Sequence, residues 1–275
     1  MKHQFITTLT GVALLAASAS AATTSYNAGS LGAAANGTNT DGVTLGLPGA
    51  LAAPGDLAVG YSGVNYTLVP YLPTLNPASA APFTIEFWAN PSASDNDDAP
   101  VSNRISSGNR SGWVFFQRAP AVGWNFRMYD GNSSALGWDL TGGTATLNAW
   151  SHVVAVWSGS AATLYVNGAL ADDSNAVGLS GGYAASTTAI FSTGAVSNAG
   201  SPITGLVDET AFYSTALSPA QIAAHYSAAS SPVPGAYQSL VLSDGALLHL
   251  NNVPEPGLAG LTLLGLAGLL RRRRC

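Results

Sequence analysis

Three sets of side chains could carry chemistry. In the stretch "SASDNDDAP", Asp95, Asp97 and Asp98 flank Asn96, and carboxylates this close together on a loop supply the oxygen donors that calcium takes. An acidic loop tip solvated by water alone has the same composition. The second set lies in "GWNFRMYDG", where Trp124 and Tyr129 offer ring faces and Asn125, Arg127 and Asp130 offer hydrogen bonds. Rings beside polar groups are what holds a sugar, so these five residues are the expected polysaccharide contact, with Trp113 and Trp138 as further rings. The third set is what a glycosidase would use, two carboxyl groups about 5 Å apart. Glu86 stands between Thr84 and Trp88 on one strand face, with no second acid beside it. Asp208 and Glu209 are neighbours on an expected strand and would point to opposite faces. His152, His225 and His249 have no Gly-x-Ser-x-Gly elbow to serve. The expectation is a protein that is not an enzyme, with no catalytic residues and calcium as the one conceivable cofactor.

These residues sit in a body whose charge is lopsided. Between residues 22 and 252 the only cations are Arg104, Arg110, Arg118 and Arg127, and they face thirteen Asp and Glu, a net charge of −9. A phosphate backbone repels such a chain, so nucleic-acid partners are not expected. The single cysteine, Cys275, is the last residue, which excludes disulfides and cysteine-rich zinc sites from the body.

The elements that must position the candidates read as strands. Period-two alternation recurs between clusters of Gly, Asn, Pro and Ser. In "PFTIEFWANP" Phe83, Ile85 and Phe87 share one face and Thr84, Glu86 and Trp88 the other. Val114 and Phe116 oppose Trp113 and Phe115, and Trp124, Phe126 and Met128 oppose Asn125, Arg127 and Tyr129. "WSHVVAVW" is apolar on nearly both faces and belongs in the middle of a sheet, with His152 as a satisfied sheet histidine. Asn167-Gly168 predicts a two-residue hairpin. "ALSPAQIAAHY" starts a helix, with Ser218 at the N-cap, Pro219 at the first position, Gln221 closing a capping box and Leu217 stapled to Ile222.

The order of "WSHVVAVW", "LYVNG", "GLVDE" and "LSPAQI" resembles the LamG-like jelly roll domains of the concanavalin A-like lectin/glucanase superfamily, over about Tyr26 to Ala229. The resemblance implies an all-β fold: a two-sheet antiparallel jelly-roll sandwich with one short C-terminal helix. In such domains the Asp-Glu pair before the helix looks structural, tying strand to loop. The acid-rich loop of the calcium-binding pentraxin branch has no carboxylate at the corresponding "FSTGAVSNAGSPITG". "QSLVLSDGALLHL" is similar to a leader strand and is expected to pair with the domain's own sheet, with Leu240, Leu242 and Leu247 available for burial.

Both ends read as addresses. Lys2 and His3 precede an uncharged run from Phe5 to Ala17, and Ala19-Ser20-Ala21 forms a cleavage site for signal peptidase. At the other end Pro254, Glu255 and Pro256 lead into an uncharged stretch, residues 257–270, closed by Arg271, Arg272, Arg273 and Arg274. Fourteen residues at ~1.5 Å each reach roughly 21 Å, short of the ~30 Å hydrocarbon core. The arginines would stay on the cytoplasmic side. The order resembles the PEP-CTERM sorting signal, which implies an exosortase-type processing enzyme as partner, transient or permanent membrane anchoring, and export to the envelope, outer surface or matrix of a Gram-negative-type bacterium. The expected organisation is a signal peptide with its helix at 1–21, the jelly roll at 26–229, a linker and trailing strand at 230–252, and the sorting signal with a membrane helix at 253–275. The expected function is cell-surface recognition without catalysis. A glycan-cleaving enzyme of the same fold and a purely structural surface protein are the alternatives.

Overall fold

The computed structural model describes residues 24–94, 97–105, 107–119, 122–132, 135–197 and 200–251. Both expected terminal helices, the cleavage site and the sorting signal lie outside them, as do Asp95 and Asn96. Among the described residues no helix is long and apolar enough to cross a membrane.

Two antiparallel sheets pack face to face. The first contains β1 (Thr24–Ser25), β2 (Gly37–Asn39), β5 (Thr67–Leu68), β7 (Val101–Arg104), β8 (Gly112–Gln117), β9 (Trp124–Tyr129), β10 (Leu136–Gly142) and β14 (Ser192–Thr193), in the order β1-β2-β5-β14-β7-β8-β9-β10. The second contains β3 (Thr44–Pro48), β4 (Leu57–Ser62), β6 (Phe83–Pro91), β11 (Ser151–Trp157), β12 (Ala162–Val166), β13 (Ala169–Asp172) and β15 (Thr204–Tyr213), in the order β13-β12-β11-β6-β15-β4-β3. A last strand, β16 (Ala246–Leu250), also pairs with β15. The sandwich expected from the alternating runs is therefore present.

Alternation decides what each sheet buries. Phe83, Ile85, Phe87, Val153, Ala155 and Trp157 of the second sheet meet Trp113, Phe115, Trp124, Phe126, Met128 and Trp138 of the first. The rings pack mostly edge to face, as with Phe87 and Phe115 at 4.9 Å between centroids and 79° between planes. The hairpin from β12 to β13 turns on Asn167 and Gly168, both at positive φ (52° and 75°), the geometry a two-residue turn requires.

The outer face of the second sheet is closed by helices α1 (Pro219–Ala228) and α2 (Ala236–Ser243). Helix α1 has the capping box read from its sequence, with Ser218 accepting from the Gln221 backbone and the Gln221 side chain accepting from the Ser218 backbone. The trailing segment corrects an expectation. Residues 236–243 are helical rather than extended, because Tyr237 and Val241, four apart, are the side chains it buries, while Leu242 stays 43% exposed. Only residues 246–250 form the strand, burying Leu248 and Leu250.

Its outer edge is not open. Asn27 bridges to Leu250, the Ala28 and Leu31 amides donate to His249 and Leu247, and His249 donates its amide to Asn27 Oδ1. Both ends of the domain thus meet on β16. Gly29 lets the chains approach this closely, since a Cβ there would lie 2.5 Å from the Leu247 carbonyl oxygen.

Candidate functional site

The outer face of the first sheet is built by β7, β8, β9 and β10. On β9, alternation sends Asn125, Arg127 and Tyr129 outward and Trp124 inward. Trp124 is wholly buried, as is Trp113, and Trp138 is 8% exposed with its indole N–H on the Gly181 carbonyl. Trp124 is therefore corrected from sugar platform to core residue, because the strand's apolar side is the one the sandwich covers. Asn125 is also buried. Its amide donates to Asp139 Oδ1, the Leu140 carbonyl and Thr141 Oγ1, at 2.5, 2.8 and 2.8 Å, leaving no donor for a ligand.

Guanidinium groups cover what remains. Arg104 lies 5.4 Å from the Phe116 centroid and 5.6 Å from that of Tyr129, Arg127 lies 5.1 Å above Phe116, and Arg110 lies 5.8 Å from Tyr129. Arg104 Nη1 also donates to the Tyr129 hydroxyl at 2.6 Å. Tyr129 is only 1% exposed, so its ring serves as a base for cations, not as an open stacking surface. Arg127 pairs with Asp139 at 3.5 Å and Asp97 at 3.8 Å, and Arg118 pairs with Asp97. All four arginines of the body thus gather at this face. Among the described residues, neither Arg104 nor Arg110 has a carboxylate within 4.0 Å. Burial above all, and then repulsion from Arg110 and Arg127, lowers the Arg104 pKa against the opposing pull of Tyr129.

Asp130 lies at the end of β9, where it accepts from the Asn132 amide and from Ser180, bonds that lower its pKa. The acidic loop supplies the same arginine surface: Asp97 faces Arg118 and Arg127, and Asp98, 6% exposed, bridges β8 through Gln117.

A second cluster, not anticipated from sequence, lies under the helices on the second sheet. Glu86 is fully buried and accepts from four side chains. His152 Nε2 and the Tyr237 hydroxyl meet Oε1, and His225 Nδ1 and the Tyr213 hydroxyl meet Oε2, with 2.9 Å for His152, His225 and Tyr213. Burial alone would raise the Glu86 pKa, but the two histidines hold it well below its ordinary value. His225 also meets Asp244 at 2.9 Å, and the two carboxylates raise its pKa against the effect of burial.

Next to it, Asp208 and Glu209 break the expected alternation. The register of β15 against β6 shifts between Asp208 and Ala211, and Glu209 adopts φ 49°. This bulge turns both carboxylates to one side, where with Asp56 they bring one oxygen each within 4.8 Å of one another. The expectation of opposite faces is overturned. These three are the described residues whose oxygens could hold a hard cation. Backbone amides of Ala50 and Glu209 donate to Asp208, and that of Leu51 to Asp56. Glu209 accepts from Gln238 and meets His249. Burial, then the neighbouring carboxylates, push Asp208 and Glu209 well up, and burial takes His249 down to about 4.

Glu86, Asp208 and Glu209 are buried, whereas Asp56 is only partly covered. The cleft beside them, about 270 Å³, is lined by Asp56 and Gln238 but not by Asp208, Glu209 or Glu86.

Residues 62–223 match the family model described as the concanavalin A-like lectin/glucanases superfamily. No curated protein sequence matches the chain. Among solved structures, the binding domain of Paraclostridial Mosquitocidal Protein 1 superposes with a TM-score of 0.54 at 16% identity, covering 74% of this chain and 52% of that one. The Botulinum Neurotoxin serotype G binding domain gives 0.53 at 14% identity, covering 73% and 47%. The binding domain of Botulinum neurotoxin DC in complex with rat synaptotagmin II gives 0.51 at 16%, covering 71% and 47%. The chain spans about half the length of these structures, and at such identities the likeness is one of fold.

Proposed function

Because the chain belongs to the concanavalin A-like lectin/glucanases superfamily, we propose that it is an exported, non-catalytic recognition domain that holds a polysaccharide on the outer face of its first sheet. The observation that carries this reading is the gathering of Arg104, Arg110, Arg118 and Arg127 on that face, in a body that is otherwise acidic. Guanidinium groups bind planar carboxylates through paired, charge-assisted hydrogen bonds. The ligand class is therefore a polysaccharide bearing carboxylates, met by Arg104 and Arg110 and flanked by Arg127 and Asp130. Repulsion from the acidic remainder is screened beyond about 8 Å at physiological ionic strength, so the local arginines decide.

Export rests on the two ends of the sequence. The run before Ala22 would be removed by signal peptidase, and Pro254, Glu255, Pro256 and Arg271 to Arg274 would deliver the chain to an exosortase-type enzyme at the envelope. Replacing the four arginines by serine should misplace the protein, and unchanged surface display would remove the sorting role.

A glycan-cleaving activity draws its only support from Asp56, Asp208 and Glu209, whose oxygens are close enough for paired acid chemistry. The burial of Asp208 and Glu209 speaks for a structural role instead. The test of recognition is a glycan array probed with the full chain and with Arg104→Ala/Arg110→Ala. Uronate-bearing glycans should bind and the double variant should lose at least about tenfold, the loss of one charge-assisted contact or more. Equal binding by both proteins would move the site elsewhere.

A further inference from the structure

A cleft of about 370 Å³ opens on the opposite side of the sandwich, between residues 50–52, Trp150 and the C-terminal end of α1. This volume falls within the ~300–1,000 Å³ that small-ligand sites occupy. Its floor is Trp88, its walls are Trp150 and Tyr226, and Ser230 stands exposed at its rim.

The floor is rigid. Trp88 donates its indole N–H to the Tyr237 hydroxyl at 3.2 Å, and Tyr237 is itself fixed on Glu86. On its other faces Trp88 packs on His152 at 4.9 Å and stacks with Tyr226 at 5.8 Å, 15° from parallel. The walls are less covered. Tyr226 is 38% exposed, and Trp150 is half-buried with its indole N–H bonded to no group among the described residues.

We infer that this cleft is a second carbohydrate site, which takes a neutral pyranose. The apolar C–H face of a sugar ring matches an aromatic wall, while its hydroxyls can meet the free indole N–H of Trp150 and the hydroxyl of Ser230. No arginine is among the described residues that line the cleft, so a carboxylated sugar finds no cation here. The inference rests on the recognition reading but uses different residues and a different sugar class. With both sites filled, one domain would join two glycan strands, as a matrix component does, with the avidity that two linked contacts give.

The experiment titrates the full chain with a panel of neutral and uronate-bearing oligosaccharides, reading tryptophan fluorescence and calorimetric affinity. At least one neutral oligosaccharide should bind and shift the fluorescence. Trp150→Ala should weaken it at least about tenfold, the effect of losing an anchor aromatic. Ala52→Trp, an exposed position at the cleft, should block the same ligand while the melting temperature holds, which separates occlusion from misfolding. Arg104→Ala/Arg110→Ala should leave neutral binding intact. No neutral oligosaccharide bound, or binding insensitive to Trp150→Ala and Ala52→Trp, would overturn the second site. Loss of uronate binding alone in the arginine variant would keep the first site standing without it.

Discussion

Glu86 is a buried carboxylate with four donors around it, each from a different element. His152 comes from β11, Tyr213 from β15, His225 from α1 and Tyr237 from α2, so one anion ties both helices to the sheet. Removing one partner of a buried charged set costs about 3–5 kcal/mol. Glu86→Gln should therefore lower the unfolding free energy by an amount of that order in urea titration. A change under about 1 kcal/mol would mean the network is incidental to stability. The titrating groups give this region a defined pH response. Glu86 is lowered from 4.5, so its share of stability is present above pH 4.5 and lost on acidification below it. His225 is raised from 6.5, so its share is full below pH 6.5 and lost as pH rises through its folded value. His249, lowered from 6.5 to about 4, withdraws stability as pH falls between those values. Asp208 and Glu209, raised, withdraw it as pH rises above about 4. Asp208→Asn removes one of these last terms, so its stability should decline less than wild type between pH 5 and 8. A parallel decline in the two proteins would show that Asp208 is already ionised at pH 5.

At the scale of elements, local chemistry was legible wherever it was decisive. Ser218, Pro219 and Gln221 specify a helix start within four residues, and Asn167-Gly168 specify a hairpin within two. Alternation likewise told which of Trp113, Phe115, Trp124 and Phe126 share a face with which neighbours. What it could not tell was which face the sandwich covers, and so Trp124 read as a platform. Residues 246–250 pair with the sheet as expected, but residues 236–243 depart from the expected strand for another reason. Leu240, Leu242 and Leu247 suit a strand, whereas the burial that matters, Tyr237 and Val241, depends on a groove made by distant strands. The bulge at Glu209 was equally hidden, because it arises where β15 changes partner from β4 to β16. Truncation after Ser231 removes Tyr237, the strand β16 and its pairing with residues 27–31 together. It should produce a protein that unfolds at much lower temperature or aggregates through the bared edge of β15, as size-exclusion chromatography would register. A monomer melting with the full chain would show that the segment is dispensable.

Across the whole molecule, the two outer faces are treated differently. Helices α1 and α2 cover the second sheet and leave clefts at Trp150 and beside Asp56, while the first sheet keeps an outer surface of arginines. The carboxylates and histidines that suggest catalysis are buried behind the helices, and the cations that suggest recognition face outward. The charge count in the sequence held the number of those cations, but only the pairing of β7, β8 and β9 brought Arg104, Arg110 and Arg127 together. Binding without turnover is the proposal that this distribution supports, and it is open to direct measurement. The full chain would be incubated with a uronate-bearing polysaccharide that it retains in affinity gel electrophoresis, and the recovered glycan examined for length and new reducing ends. Glycan bound through Arg104 and Arg110 and recovered at its original length is the predicted result. Shortened chains, formed by wild type and not by Glu209→Gln, would contradict it and make the buried carboxylates an active site.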